Sequence, residues 1–180
     1  MSKKNSDRSG EKLPCPNLII DGYNLIHALP AMARFVGTDL QRARELLLMK
    51  LSGYASRNRI KITVVFDGQR GKNPVEHNWP GLTVVFSQGK KADHFIKELV
   101  QKIANKKDWL VITSDFDIRF QVDGVGIKSR SARDFAAELE AFSATKKNPA
   151  RRTSDSSEEK KITKEDMDWA YEVFLKNKKG

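Results

Sequence analysis

Three apolar runs in this chain each end on an aspartate: "LIID" at 18–21, "ITVVFD" at 62–67 and "LVITSD" at 110–115. A fourth aspartate, Asp93, opens the amphipathic segment "KADHFIKELVQKIANKK" at 91–107. One such carboxylate is ordinary local chemistry, because Asp bonds its own backbone in turns and caps following helices. Four of them at such exits in one small chain form a set. If the runs are neighbouring strands about 5 Å apart, Asp21, Asp67 and Asp115 meet in one small volume, with Asp93 facing the same edge. Carboxylates sharing a cleft repel each other, and some must protonate unless a cation neutralises them. Oxygen donors without a His or Cys cluster suit Mg²⁺ or Mn²⁺ and not zinc. An ion held this way binds a phosphate oxygen and lowers the pKa of its water, which produces a nucleophile for in-line attack on a phosphodiester. Asp21, Asp67, Asp93 and Asp115 are therefore candidate metal ligands and catalytic acids. Asn24, three residues past Asp21, is placed to orient a carboxylate or a water. Asp117, the hydroxyls of Thr113 and Ser114, and His94 are candidate accessory groups.

A sheet has to deliver these residues. Strands are expected at 17–20, 61–66, 82–87 and 109–114, with a small fifth at 125–129. Helices are expected at 38–58, 91–107 and 131–142, with a short helix or turn at 117–124. Thr38 with Gln41 has the form of a capping box, and Ser131 that of a cap. The stretch 70–81 is rich in turn residues and reads as a loop presenting Trp79, which could stack on a base or plug the loop onto the core. Near-continuous apolar strands alternating with helices point to a parallel sheet covered on both faces. The expected architecture is a three-layer α/β domain over 17–142. In such sheets ligands bind outside the carboxyl ends of the strands, where Gly22 lets the backbone turn away from Asp21. Residues 1–16 read as a loose leader and 143–162 as a charged, disordered linker. A C-terminal helix is expected at 163–179, with Met167, Ala170, Tyr171 and Phe174 on one stripe that docks back on the domain or, as the alternative, onto a partner.

The charge balance narrows the substrate. The chain has 33 Lys and Arg against 23 Asp and Glu, a formal net charge of +10. Residues 13–142 alone hold 19 basic and 14 acidic side chains, so the domain is basic even while it carries the aspartates. A basic body favours a polyanionic partner, nucleic acid first. Arg70, Lys72, Lys90 and Lys91 lie in loops near the expected carboxyl edge and are candidate RNA contacts. Cys15 is the single cysteine, which precludes an internal disulfide and fits a reducing, cytoplasmic setting. There is no signal peptide and no run of eighteen apolar residues, so no membrane partner is expected. A phosphate-cradling G-x-x-x-x-G-K-[ST] loop and a G-x-G-x-x-G fingerprint are both missing. Phosphotransfer on an aspartate wants D-x-D after the first strand, where Asp21-Gly22-Tyr23 stands instead.

The ordered set "IIDGYNLIH", "DL…AR…L…L", "ITVVFDG", "VVFS…AD", "VITSD" and "SARDF" resembles the YacP-like branch of the NYN-domain ribonucleases, within the PIN-like nuclease superfamily. The resemblance covers residues 17 to about 142. It implies a PIN-like α/β/α sandwich and metal-dependent endonucleolytic cleavage of RNA, single-stranded or messenger, leaving 5′-phosphate and 3′-hydroxyl ends. The family's acidic and amide positions fall on Asp21, Asn24, Asp67, Asp93 and Asp115. This chain departs from the pattern at His94, where a second acid is common, and at Lys91, where a small hydroxyl residue is usual. The competing reading is an RNA- or ribosome-binding module with a weak or silent nuclease site.

Overall fold

The computed structural model describes residues 15–68, 75–79, 81–87 and 91–145, with side chains of 75–77 and 145 left aside. The expected C-terminal helix at 163–179 and the candidate RNA contacts Arg70, Lys72 and Lys90 lie outside the described residues. The elements run β1 (Asn17–Asp21), α1 (Gly22–Ala28), α2 (Pro30–Ala33), α3 (Leu40–Asn58), β2 (Lys61–Phe66), β3 (Val75–Trp79) and β4 (Leu82–Phe86). They continue with α4 (Ala92–Gln101), a 3₁₀ turn at Lys106–Asp108, β5 (Trp109–Ile112), α5 (Phe116–Gly124), β6 (Lys128–Arg130) and α6 (Ala132–Thr145).

Six strands form one sheet in the order β3-β4-β2-β1-β5-β6. Only the β3–β4 pair is antiparallel; β4, β2, β1, β5 and β6 all run the same way. Along each strand successive side chains point to opposite faces, and here both faces are apolar. Leu18, Ile20, Ile62, Val64 and Phe66 join Leu25, Leu47, Leu51 and Phe135 on the side of α1, α3 and α6. Ile19, Val65 and Val111 join Ile96, Val100, Ile118 and Val122 on the side of α4 and α5. This is the expected mainly parallel three-layer α/β architecture, and the absence of alternation in β1 is its cause.

Several local expectations are corrected. Residues 75–79 are a strand, not loop, paired to β4 with Trp79 opposite Leu82. The segment "VEHNW" sits on the sheet edge, where one flank of the backbone needs no partner and apolar content is dispensable. Trp79 is consequently half-buried against the core and not a loop-borne stacking residue. Helix α4 stops at Gln101, well short of 107, because the chain must turn back through the 3₁₀ segment to start β5. Helix α3 begins at Leu40 with Asp39 as its cap, whose Oδ1 accepts the Arg42 N–H at 3.0 Å; Thr38 does not cap it. The last strand is Lys128–Arg130, since Val125 and Gly126 complete the turn leaving α5, Gly126 at φ +85°. Helix α6 runs to Thr145, past the expected domain end at 142 and into the segment read as disordered linker. The chain after Asp21 is helical at once, and α2 opens on Pro30, a residue suited to the first turn.

Gly22 decides how closely β1 can hand over to α1. A Cβ built there meets the buried Phe66 ring at 2.3 Å from Cε1 and 2.5 Å from Cδ1. Ala in place of Gly favours a helix by up to about 1 kcal/mol, while overpacking costs about 1–3 kcal/mol, and at 2.3 Å the overlap wins. Gly22→Ala is expected to lower the urea midpoint with an unchanged m-value, read by circular dichroism.

Candidate active site

Parallel pairing puts the carboxyl ends of β4, β2, β1, β5 and β6 on one rim. In the β1–β2 register Asp21 is level with Val65, so Asp67 stands two residues further out, exposed beyond Phe66. In the β1–β5 register Ile20 is level with Ile112, which sets Thr113 beside Asp21 and Asp115 just beyond. Asp21 shares its side of the sheet with Ile19, the side on which α4 and α5 pack. Asp93 lies in the first turn of α4, next to Ala92, which belongs to that same apolar cluster.

Asp21 is the most deeply set acid at this rim. It is 6% exposed and caps α1: Oδ1 accepts the Asn24 N–H at 3.1 Å, and Oδ2 accepts Asn24 Nδ2 at 2.7 Å. Thr113, fully buried, donates its hydroxyl to Asp21 Oδ2 at 3.5 Å, the long end of a hydrogen bond. The same hydroxyl accepts the Asp115 backbone N–H at 3.1 Å, so one oxygen bridges the Asp21 carboxylate and the Asp115 main chain across β1 and β5. Asp115 Oδ1 in turn caps α5, accepting the N–H groups of Asp117 at 2.8 Å and Ile118 at 3.1 Å. Burial pushes the Asp21 carboxyl above its ordinary range. The Asn24 bonds and the Thr113 hydroxyl pull it down, and the nearby Asp115 charge adds to the rise.

Asp93 supplies a different signal. Its Oδ1 is buried without a hydrogen-bond partner, and its Oδ2 is 4.0 Å from Lys97 Nζ. A buried acceptor with no donor is costly, and a hard cation would satisfy it. Among the described residues, no three His, Cys, Asp or Glu side chains stand close enough to ligate one ion directly. Mg²⁺ takes one or two carboxylates and keeps several waters, so Asp21 with the Asp115 charge nearby suits such an ion, and the orphaned Asp93 oxygen suits a water of its shell. Of the accessory candidates, Thr113 reaches the cleft, and the others are engaged elsewhere or turned away. Ser114 Oγ accepts the Ala132 N–H at 3.2 Å at the start of α6. His94 Nε2 is 3.0 Å from Glu98 Oε1 on the exposed side of α4. Asp117 is exposed one place into α5. Lys91 is exposed at the cap position of α4, which has no side-chain cap bond.

Two side chains that the sequence reading passed over lie at the same rim. Tyr23, two residues after Asp21, packs edge-on against Phe66 with centroids 5.2 Å apart, and its hydroxyl accepts Arg44 Nη1 at 3.0 Å. Between the apolar Ala43 and Leu47, Arg44 carries only the ordinary signal of a polar helix face.

The YacP-like NYN domain model matches residues 18–175. The Bacillus subtilis (strain 168) protein YacP is 29% identical over 128 residues, 69% of this chain and 75% of that protein. A crystal structure of Rae1 (YacP) from Bacillus subtilis is similar with a TM-score of 0.60 at 28% identity, covering 90% of this chain and 92% of that one. A second, of a point mutant, gives 0.59 at 29% identity over 72% and 77%. With the family model spanning most of its length, the chain belongs to the YacP-like NYN domain family, a group of nuclease-like domains.

Proposed function

We propose that this protein is a divalent-metal-dependent endoribonuclease that hydrolyses RNA phosphodiester bonds at the Asp21 rim. The burial of Asp21 at the end of β1, with the Asp115 charge near enough to act on it, carries the reading, and an Asp93 oxygen without a donor at the head of α4 supports it. A dehydrated Asp21 carboxylate with the Asp115 charge nearby is an arrangement that a cation relieves. Asp21, Asp93 and Asp115 would hold Mg²⁺ or Mn²⁺ partly through bound waters, with Asp67 reaching in from the outer edge. The ion would supply an activated water and neutralise charge developing on the phosphate. Asn24 keeps the Asp21 carboxylate in one orientation through its two hydrogen bonds. Thr113 links the Asp21 carboxylate to the Asp115 main chain. Lys91, exposed at the head of α4, would meet the RNA backbone, together with Arg70, Lys72 and Lys90, which lie outside the described residues. The single buried Cys15 is consistent with a cytoplasmic setting. Among the described residues no helix is long and apolar enough to cross a membrane.

The second reading, an RNA- or ribosome-binding module with a silent site, is favoured by His94, which faces Glu98 and leaves Asp93 without an adjoining acid. Incubating single-stranded RNA with the protein in Mn²⁺ and in chelator separates the two: binding without cleavage in every metal selects the module.

Asp21→Asn keeps an equally good helix cap and removes the buried charge. The cleavage rate should fall about 100-fold or more, a loss of ~3 kcal/mol in the transition state, and undiminished cleavage removes Asp21 from the mechanism. Stability gives an independent reading. Folding raises the Asp21 pKa above the unfolded value near 3.8, so the folded state favours the protonated form. Its contribution to stability is full below that value and is lost as pH rises through the folded one. In chelator, thermal midpoints should decline across that window for the wild type and not for Asp21→Asn. At neutral pH, added Mn²⁺ should raise the wild-type midpoint, as binding to the native state must, with little effect on Asp21→Asn or Asp115→Asn.

A further inference from the structure

Arg44 is a half-buried guanidinium held by neutral groups. Nη1 donates to the Tyr23 hydroxyl at 3.0 Å and Nη2 to Gln41 Oε1 at 2.7 Å. The guanidinium carbon lies 5.7 Å above the centre of the Phe86 ring. Phe86 stacks on Phe66 at 5.7 Å, and Phe66 meets Tyr23 edge-on. Phe66 and Phe86 are the last residues of β2 and β4, and Tyr23 follows β1 by two. The ledge of rings thus caps three adjacent strands at the carboxyl rim. It lies on the α1–α3 side of the sheet, with the acids opening on the α4–α5 side.

Among the described residues no carboxylate pairs with this cation. Glu45, the acid nearest in sequence, accepts from Gln41 Nε2 at 2.7 Å and stops there. The contrast within the molecule is Arg130, whose guanidinium is paired with Glu138. A partly desolvated cation without a counter-ion is an expensive arrangement. An arginine has five N–H donors in a planar fork, so this one retains donors for a tetrahedral oxyanion.

We infer that Arg44, steadied by Tyr23 and Gln41 over the Phe86 ring, binds a backbone phosphate of the RNA other than the one cleaved. The strand crosses the rim, with the scissile phosphate at the acids on one side and a flanking phosphate at Arg44 on the other. This rests on the endoribonuclease reading and adds to it the direction in which the RNA lies. The contact is to the backbone, so it adds affinity without sequence preference.

The test measures binding of a fluorescein-labelled single-stranded RNA of mixed sequence to the full chain in chelator, across a salt series. Arg44→Gln should weaken affinity about five- to tenfold and reduce the log–log salt slope by about 0.7, the share of one phosphate on a single strand. Arg44→Lys keeps the charge and the stem over Phe86, so its slope should match the wild type while part of the affinity is lost with the fork. Tyr23→Phe removes the hydroxyl that steadies Nη1 and should also keep the slope. Wild-type affinity and slope in Arg44→Gln overturn the inference, as does a loss of affinity with no change of slope. An Arg44→Lys slope as low as that of Arg44→Gln overturns it too, because charge would then not be the cause. A wild-type protein that binds no RNA overturns the endoribonuclease reading itself, whereas normal wild-type binding with an indifferent Arg44→Gln overturns only this assignment.

Discussion

A carboxylate buried to 6% exposure at the end of the central strand is the constraint on which the rim depends. Burying Asp21 is unfavourable for its charged form, and the fold answers with local and distant donors together. Asn24 contributes its backbone and its amide from the first turn of α1, and Thr113 adds a hydroxyl from the neighbouring strand. These bonds hold the group in one orientation without removing the Asp115 charge beside it.

The parallel sheet turns this single group into a site. Because β1 lies between β2 and β5, whatever follows each of these strands emerges at the same end. The apolar faces on both sides lock the register, since a one-residue slip would exchange every side chain between the α3 and α4 faces. Gly22 then lets the chain leave β1 against the Phe66 ring, where any larger residue would push α1 away from the strand end. Packing and chemistry are coupled at that residue.

The two faces of the rim have opposite electrostatic character. Acids and an unpaired Asp93 oxygen stand on the α4–α5 side, and Arg44 over an aromatic ledge stands on the other. A polyanion laid across such an edge meets attraction from the guanidinium at one flank and needs a cation at the other. His94 and Lys91, the departures from the family pattern, do not enter the acid cluster: one faces Glu98 and the other occupies an otherwise unbonded cap.

Short-range features were legible in the sequence. The parallel strands, both long helices and the exits of Asp21, Asp67, Asp93 and Asp115 follow from apolar runs and from chain continuity, and Asn24 lies within one turn of its partner. The edge strand β3 was not, because pairing on one flank places little demand on residue type. The Thr113 hydroxyl could be named as a candidate but not told from that of Ser114, since its bond joins residues 92 apart, and the Tyr23–Arg44 contact across 21 gave no signal. Sequence alone determined which residues stand at strand ends, since hydrophobic burial is written position by position. Tertiary structure decided which of those residues touch, because strand order and helix crossing set distances that no local pattern encodes. It likewise decided that, among the described residues, Arg44 meets no carboxylate while Arg130 finds Glu138.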